Sequence, residues 1–509
     1  MTLAIPRPFR LPSLQGIVLF ALACIILITL YTLWLAIYNV FLHPLRSYPG
    51  PKLWAAFRFP YVYNQLKGRL PRRVKVMHDQ YGPIVRVAPT QLSYITAEAW
   101  KDIYGSQVGQ AQNPKDQRML LAPHKGIPDH ILRANDDDHS RYRRLMCHAF
   151  STKALEAQQP LITAYVDLLI ERLKENANKA QNMTAWYNWT TFDIVGDLAF
   201  GESFHGLRDQ CGHPFVETIN AGIETGAAIT AIAHYGLDFA LQYLTPKSML
   251  DKFDRMQAYT REKVESRLQR DAERPDFMSF IMRNDKEGQQ MSKGELEANA
   301  EILVLAGSET SASLLTGATY YLCTNRQALE KVTSEVRDAF ETDQDMDMHS
   351  LAKLDYLLAA LNESLRLYPP VPTAVPRITV NGDTISGQWV APGTTIGIFQ
   401  FAAFHSPSNF HESEAFVPER WLPNAPAEFR DDNKDVVQAF SYGPRNCIGQ
   451  SLAYLEMRLI LAKVLWNFDL SLEEESKHWT NQRMHIVWRK GPLMVKLTPV
   501  DRTEKVKSG

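Results

Sequence analysis

The sequence predicts a mainly α body of the α+β kind, with small β-sheets at one side and one membrane-spanning helix in front. Three observations carry that expectation. Residues 16–37 form an uncharged apolar run. Helical periodicity dominates from about Asp138 to Glu301 and extends through an apolar stretch from about Lys293 to Thr324. Strand-like alternation bounded by turn residues is confined to a few short segments. These elements interleave along the chain without a linker of shifted composition, so the body reads as one domain.

The run Gly16–Ile37, GIVLFALACIILITLYTLWLAI, spans about 33 Å as a helix, enough for a bilayer core. It is long for a cleaved signal, and no small-x-small site follows it. Arg7 and Arg10 precede it and Arg46 and Lys52 follow it, so charge asymmetry leaves the orientation open. Pro44, Pro49 and Pro51 then make HPLRSYPGPK a stiff hinge. The expected organisation is a lead over residues 1–15, an anchor over 16–37, a hinge over 38–52 and a catalytic body over 53–509. In the body, YGPIVRVAPTQLSYIT (Tyr81–Thr96) predicts two strands joined at Ala88-Pro89. RITVNGDTISGQWVAPGTTIGI (Arg377–Ile398) predicts further strands, with turns at Asn381-Gly382 and Pro392-Gly393. A last strand pair is expected within Met484–Val500.

Composition narrows the function. Among 509 residues, 55 Lys and Arg face 56 Asp and Glu, so no basic excess points to nucleic acid. The five cysteines, Cys24, Cys147, Cys211, Cys323 and Cys447, are scattered without a CxxC pair. That spacing argues against a disulfide framework or a zinc site. No GxGxxG and no appended flavin or iron–sulfur region is present.

Chemistry concentrates around FSYGPRNCIGQ, Phe440–Gln450. By itself, Cys447 is buried filler, a nucleophile or a metal ligand. A thiolate on haem iron makes sense of its neighbours. Backbone N–H groups at a helix start lower a thiol pKa from its ordinary value of about 8.5. Gly443 and Gly449 let the backbone lie against a flat macrocycle. Arg445 reaches an anionic propionate, and Phe440 shields the sulfur. Elsewhere, AGSETS (Ala306–Ser311) puts an acid and an alcohol into an apolar helix, which is costly unless they are used. Either Thr310 bonds a carbonyl one turn back and bends the helix, or Gly307 makes room for oxygen while Thr310 and Glu309 relay protons. In NESLRLYPP, Glu363 and Arg366 share a helix face at i, i+3. FVPERWL supplies Arg420 downstream.

The pattern Phe-x-x-Gly-x-Arg-x-Cys-x-Gly resembles the haem-ligand loop of the cytochrome P-450 family of haem-thiolate monooxygenases. AGSETS is similar to that family's Ala/Gly-Gly-x-Asp/Glu-Thr motif. The order and spacing of the matches run from the proline hinge to the C-terminal strands. Overall the chain resembles membrane-bound fungal members of secondary metabolism.

The resemblance implies the cytochrome P-450 fold and haem b ligated by Cys447. It implies a buried Glu363–Arg366–Arg420 cluster locking the loop under the haem. Arg143 and Arg377 then contact propionates, and His139, standing where the family commonly has Trp, retains a hydrogen bond and titrates near neutral pH. Arg141 and Arg144 are candidates for a donor-docking patch. Leu303, Ala306, Val371, Thr373, Ala374 and Val375 border the substrate pocket, with the loop 107–131 and the apolar segment 222–244 as lid. Nearly all are apolar, so a lipophilic small molecule is expected. Electrons come from an NADPH-dependent flavoprotein reductase, with cytochrome b5 as a second donor, and O2 is the co-substrate. The body, a monomer, faces the cytosol from the endoplasmic reticulum membrane, so neither Asn182-Met-Thr nor Asn188-Trp-Thr carries glycan. The leading activity is insertion of one oxygen atom by hydroxylation, epoxidation or oxidative ring closure. A redox-neutral haem-thiolate isomerase or dehydratase, and a non-enzymatic haem sensor, are the alternatives.

Overall fold

The computed structural model describes residues 14–106, 112–119, 126–177, 179–237, 239, 245–270, 275–283 and 290–501. Helix α1, Leu14–Ile37, buries none of its residues against the body. With the turn that follows it, it is the one helix among the described residues long and apolar enough to cross a membrane. The chain after it, in the expected hinge, is built of short turns. A π-type turn covers Tyr38–Leu42 and a 3-10 turn covers Pro44–Ser47. Pro44 opens the second, where a missing N–H costs nothing and the ring presets φ.

The body is organised by α2 (Phe59–Leu66), α3 (Asp136–Met146), α4 (Met183–Phe200), α5 (Pro214–Ala233), α6 (Lys293–Thr324), α7 (Asp355–Leu367) and α8 (Gln450–Asn467). The bounds of α6 are those the sequence predicts. Ser292 starts it with a reciprocal capping box to Glu295. Glu295 also accepts from Arg141 and Tyr142 of α3, so Arg141 ties two helices together rather than standing free at the surface; Arg144 is exposed. That contact holds the Glu295 carboxyl low, at about 2, against the opposing effect of burial.

Helix α6 runs through the core against α4. Small residues permit the approach: a Cβ on Gly307 would lie 3.2 Å from Val195, and one on Gly317 would lie 2.7 Å from the Tyr368 ring. Polar atoms on this seam are paired across it. Thr191 donates to the Ser308 carbonyl at 3.0 Å, and the Tyr187 and Thr319 hydroxyls are 2.9 Å apart. Helix α8 packs on the other side. Its Glu456 is 1% exposed and hydrogen-bonds Ser311 of α6, while one of its carboxyl oxygens has no partner.

Among the described residues, three sheets lie at the side. Strands β1 (Ile84–Ala88) and β2 (Gln91–Tyr94) form the expected antiparallel pair. The others are β3 (Gln181–Asn182), β4 (Arg377–Ile378), β5 (Asp383–Ile385), β6 (Gln388–Val390), β7 (Thr395–Ile398), β8 (Phe468–Leu472) and β9 (Met494–Pro499). The main sheet has the order β1-β2-β7-β4, with β2 and β7 parallel. The hairpin β5–β6 turns at Ser386-Gly387, both at positive φ, rather than at Asn381-Gly382. The expected strand pair within 484–500 is also different: β9 pairs with β8 and β3, leaving a single bridge at Met484 and Trp488. Thr184 and Thr190, the hydroxyl positions of both glycosylation triplets, are buried in α4.

Two predictions follow from this packing. Gly317→Val drives a side chain into Tyr368, and overpacking of this kind costs about 1–3 kcal/mol; urea unfolding should show that loss, and unchanged stability would mean the seam is slack. Burial pushes the Glu456 pKa up to about 8. The unfolded chain releases this proton near the ordinary glutamate value of about 4.3, so the folded form holds the extra proton between the two values. Stability therefore falls as pH rises through that window and levels above about 8. Glu456→Gln should flatten the decline, by up to about 1.4 kcal/mol per pH unit; parallel stability–pH curves for the two proteins would contradict it.

Candidate active site

The loop Phe440–Gly449 is a tight reversal between Val436 and α8. The Cys447 N–H donates to the Phe440 carbonyl at 2.9 Å, and Gly443–Arg445 forms a 3-10 turn. Gly443 is required twice over. Its φ is +75°, and a Cβ there would run into the Tyr104 carbonyl. Gly449, the N-cap of α8, meets only Phe150 at ordinary contact distance. Arg143 of α3 fixes the loop from outside, donating to the Asn446 carbonyl at 2.7 Å and to its side chain at 2.6 Å.

Cys447 lies deep enough that desolvation raises its thiol pKa, an effect opposed by the Gly449 N–H and the Arg143 charge. Yet the residue remains exposed, so it is not packing filler. Among the described residues, no group of three His, Cys, Asp or Glu side chains could hold a bare metal ion. One thiol beside the Gly449 N–H instead suits a metal that brings its other ligands with it, as haem iron does.

A second feature fits the same group. Lys115, Arg377, Arg445 and His139 converge beside this loop. Lys115 bridges in backbone to Arg377, and Arg445 donates to the Ala134 carbonyl and to Asp136. Burial and the neighbouring Arg377 and Arg445 hold the Lys115 ammonium down to about 7. Burial, with Arg445, Lys115 and Arg143, holds His139 at about 4, so it stays neutral where the sequence let it titrate. The buried Arg377 Nε has no partner. Such an excess of buried cationic groups matches the two propionates of haem b. Lys115 was missed from sequence because a single lysine in a loop carries no pattern.

On α6, Ala306 and Thr310 lie on one face, one turn apart. Thr310 donates to the Ala306 carbonyl at 2.6 Å, the back-bond that was one of its two readings. Glu309 turns about 100° away from Thr310. It is buried and paired with Lys490 at 2.6 Å, and Lys490 also donates to Ser313 at 2.7 Å. Gly307 faces Val195 on α4. Its missing side chain therefore serves the helix seam in this structure. Leu303 is half-buried. After Tyr368 the extended chain alternates: Val371, Thr373 and Val375 remain partly accessible, whereas Ala374 packs into the sheet-side core and donates to the Ile398 carbonyl. Residues 107–111 and 120–125 of the expected lid loop, and 238 and 240–244 of the apolar lid segment, lie outside the described residues.

Glu363, Arg366 and Arg420 come together fully buried. Glu363 accepts from Arg366 at 2.7 and 2.9 Å, from Arg420 at 3.1 Å, and from the Trp421 indole and Val417 N–H, both at 2.9 Å. Arg366 also donates to the Phe404, Ser413 and Ala415 carbonyls, and Arg420 pairs with Asp432. Asp432 is the partner that balances the second arginine, and sequence reasoning missed it. Through these bonds α7 grips the chain from Phe404 to Asp432 that leads into the cysteine loop. Glu363→Gln keeps the shape but strands guanidinium charge, which costs about 3–5 kcal/mol. Urea unfolding should show that loss; a cost below about 1 kcal/mol would mean the network is solvated and of little weight.

Comparison with known proteins gives one consistent answer. The Cytochrome P-450 family model matches residues 49–497. Averantin hydroxylase from Dothistroma septosporum is 44% identical over 479 residues, covering 92% of this chain and 90% of its own. Trichothecene C-4 hydroxylase from Trichoderma arundinaceum is 43% identical over 473 residues, covering 91% and 93%. The cytochrome P-450 monooxygenase stcF of Emericella nidulans is 42% identical over 480 residues, covering 93% and 98%. With a thiol held before a helix start and basic groups gathered beside it, the chain belongs to the cytochrome P-450 family of haem-thiolate monooxygenases.

Proposed function

We propose that this protein inserts one oxygen atom from O2 into a lipophilic small molecule of fungal secondary metabolism. The observation that carries the reading is the accessible, deeply set Cys447 with the Gly449 N–H directed at its sulfur. The relatives named as hydroxylases, of averantin and of the trichothecene C-4 position, support the product class. Haem b, when bound, supplies the activation of O2. The net reaction consumes substrate, O2, NADPH and a proton, and releases hydroxylated product, water and NADP+.

The chain's own residues do the rest. Cys447 ligates the iron, while Arg143 and Phe440 keep its loop closed. Lys115, Arg377, Arg445 and His139 hold the propionates. Thr310 carries a proton on Oγ1, parked on the Ala306 carbonyl, and passes it toward the oxygen-binding face. Glu309 is held by Lys490 and joins that relay only by releasing it. Leu303, Ala306, Val371, Thr373 and Val375 offer an apolar wall to substrate. The electrons come from a separate NADPH-dependent flavoprotein reductase, with cytochrome b5 as second donor. Helix α1 anchors a monomer in the endoplasmic reticulum membrane, with the body in the cytosol.

The test compares metabolites of a host carrying the native chain with one carrying Cys447→Ala, under isotopically labelled O2. The variant should accumulate a precursor lacking one oxygen atom, and the native product should carry one labelled atom. Accumulation of an unlabelled isomer of the product would overturn the reading in favour of rearrangement. Ala306→Trp should retain haem but lose turnover, and undiminished turnover would displace the pocket.

A further inference from the structure

A polar cluster stands apart from the residues assigned so far, where α2, the 112–119 segment, the start of β2 and β7, and the end of α5 meet. Arg58, the N-cap of α2, donates to the Gln91 side chain at 2.8 Å and to Thr90 Oγ1 at 3.0 Å. Arg118 forks onto Asp116 at 2.8 and 2.7 Å and reaches Thr395 at 3.3 Å. Gln91 donates to the Tyr61 hydroxyl at 3.2 Å, and the Tyr61 ring meets His234 edge-on at 5.6 Å. His234 is the residue after α5, and neither of its buried ring nitrogens has a partner.

Two features of this cluster are unexplained by packing alone. Asp116 balances Arg118, but Arg58 bonds only neutral acceptors, and among the described residues no carboxylate hydrogen-bonds it. Asp116 acts on Arg58 only through space, and the Tyr61 ring lies 5.4 Å beneath the guanidinium, so a directly hydrogen-bonded anion is what this guanidinium lacks. Unused donors also gather here: the remaining N–H groups of Arg58, the Tyr61 hydroxyl proton and one His234 N–H. Burial, with Arg58 and Arg118, holds His234 neutral, at about 3, so it offers one donor without adding charge.

We propose that this cluster is an oxyanion-recognition site for the carboxylate or phenolate of an otherwise apolar small molecule bound for the active site. The inference rests on the proposed monooxygenase reading and narrows its substrate to amphiphiles with one acidic group. Two further observations place it. The same elements expose an apolar rim, with Phe59 at 64% and Tyr235 at 50% exposure, near the root of the membrane anchor. Asp116 follows Lys115 in the segment that bridges to Arg377, and successive side chains in extended backbone leave on opposite sides. The cluster therefore lies one layer of chain away from the groups gathered beside the cysteine loop.

The test uses the full-length haem-loaded protein in nanodiscs of phosphatidylcholine. Anthracene-9-carboxylate and its neutral analogue anthracene-9-carboxamide are titrated by fluorescence. The native protein should bind the acid about tenfold more tightly than the amide, the gain of one charge-assisted pair. Arg58→Gln should lose that preference without changing amide affinity, and Arg58→Lys should restore part of it. Equal affinities in the native protein, or a preference that survives Arg58→Gln, would overturn the site. A preference abolished by adding phosphatidylserine would assign the cluster to lipid headgroups and overturn the small-molecule role. The carbon monoxide spectrum of each reduced variant reports thiolate ligation separately, so failure of the haem-thiolate reading is visible whatever the probes do.

Discussion

On the proposed haem-thiolate reading, one sulfur has to be kept as an anion deep inside the protein, and burial works against it. Desolvation raises the Cys447 thiol; the Gly449 N–H and the Arg143 charge act in the other direction. Iron completes the stabilisation when haem is bound. The rest of the loop can be read as geometry serving that balance. Gly443 turns the chain through a left-handed conformation against Tyr104, and Arg143 fixes Asn446 beside the cysteine. Gly449, the N-cap of α8, then directs its N–H at the sulfur.

That loop is held in place by buried charge and not by apolar packing alone. Glu363 and Asp432 balance Arg366 and Arg420, and the arginines' remaining donors take backbone carbonyls across the chain from Phe404 to Ala415. A network of this kind adds little net stability compared with well-packed apolar residues, but removing one member leaves an uncompensated charge. Its effect is to fix one path for an irregular segment that has few ladder hydrogen bonds of its own. The Glu309–Lys490 pair is the distal counterpart, tying α6 to the segment before β9. It also separates the two members of the acid–alcohol motif: Thr310 stays by Ala306, and Glu309 belongs to the lysine.

Much of this was legible in the sequence because the signals were local. The apolar run from about Lys293 to Thr324 already marked both ends of α6, and the Ser292 capping box found in the structure agrees with the first of them. The cysteine loop is legible because several unusual requirements fall within eleven residues. What escaped depends on long-range pairing. The partner of β9 is β8, whose residues follow directly on a helix and carry no turn signal of their own. The β5–β6 turn uses Ser386-Gly387, a weaker sequence cue than Asn381-Gly382, because strand register decided between them. Lys115, Asp432 and Lys490 were invisible for the same reason: a lone charged residue looks like surface until the fold buries it. Ala374 was placed beside the pocket by resemblance and Gly307 beside bound oxygen by its missing side chain, and backbone direction turns both toward neighbouring elements.

The central claim is that Cys447 binds haem iron as a thiolate. The most direct measurement is the absorption spectrum of the purified, reduced protein with carbon monoxide, for the native chain and for Cys447→His. The account predicts the strongly red-shifted Soret band of thiolate ligation in the native chain and the shorter-wavelength band of imidazole ligation in the variant. A native chain that shows the shorter-wavelength band with haem fully loaded, or a variant that keeps the red-shifted one, would contradict it.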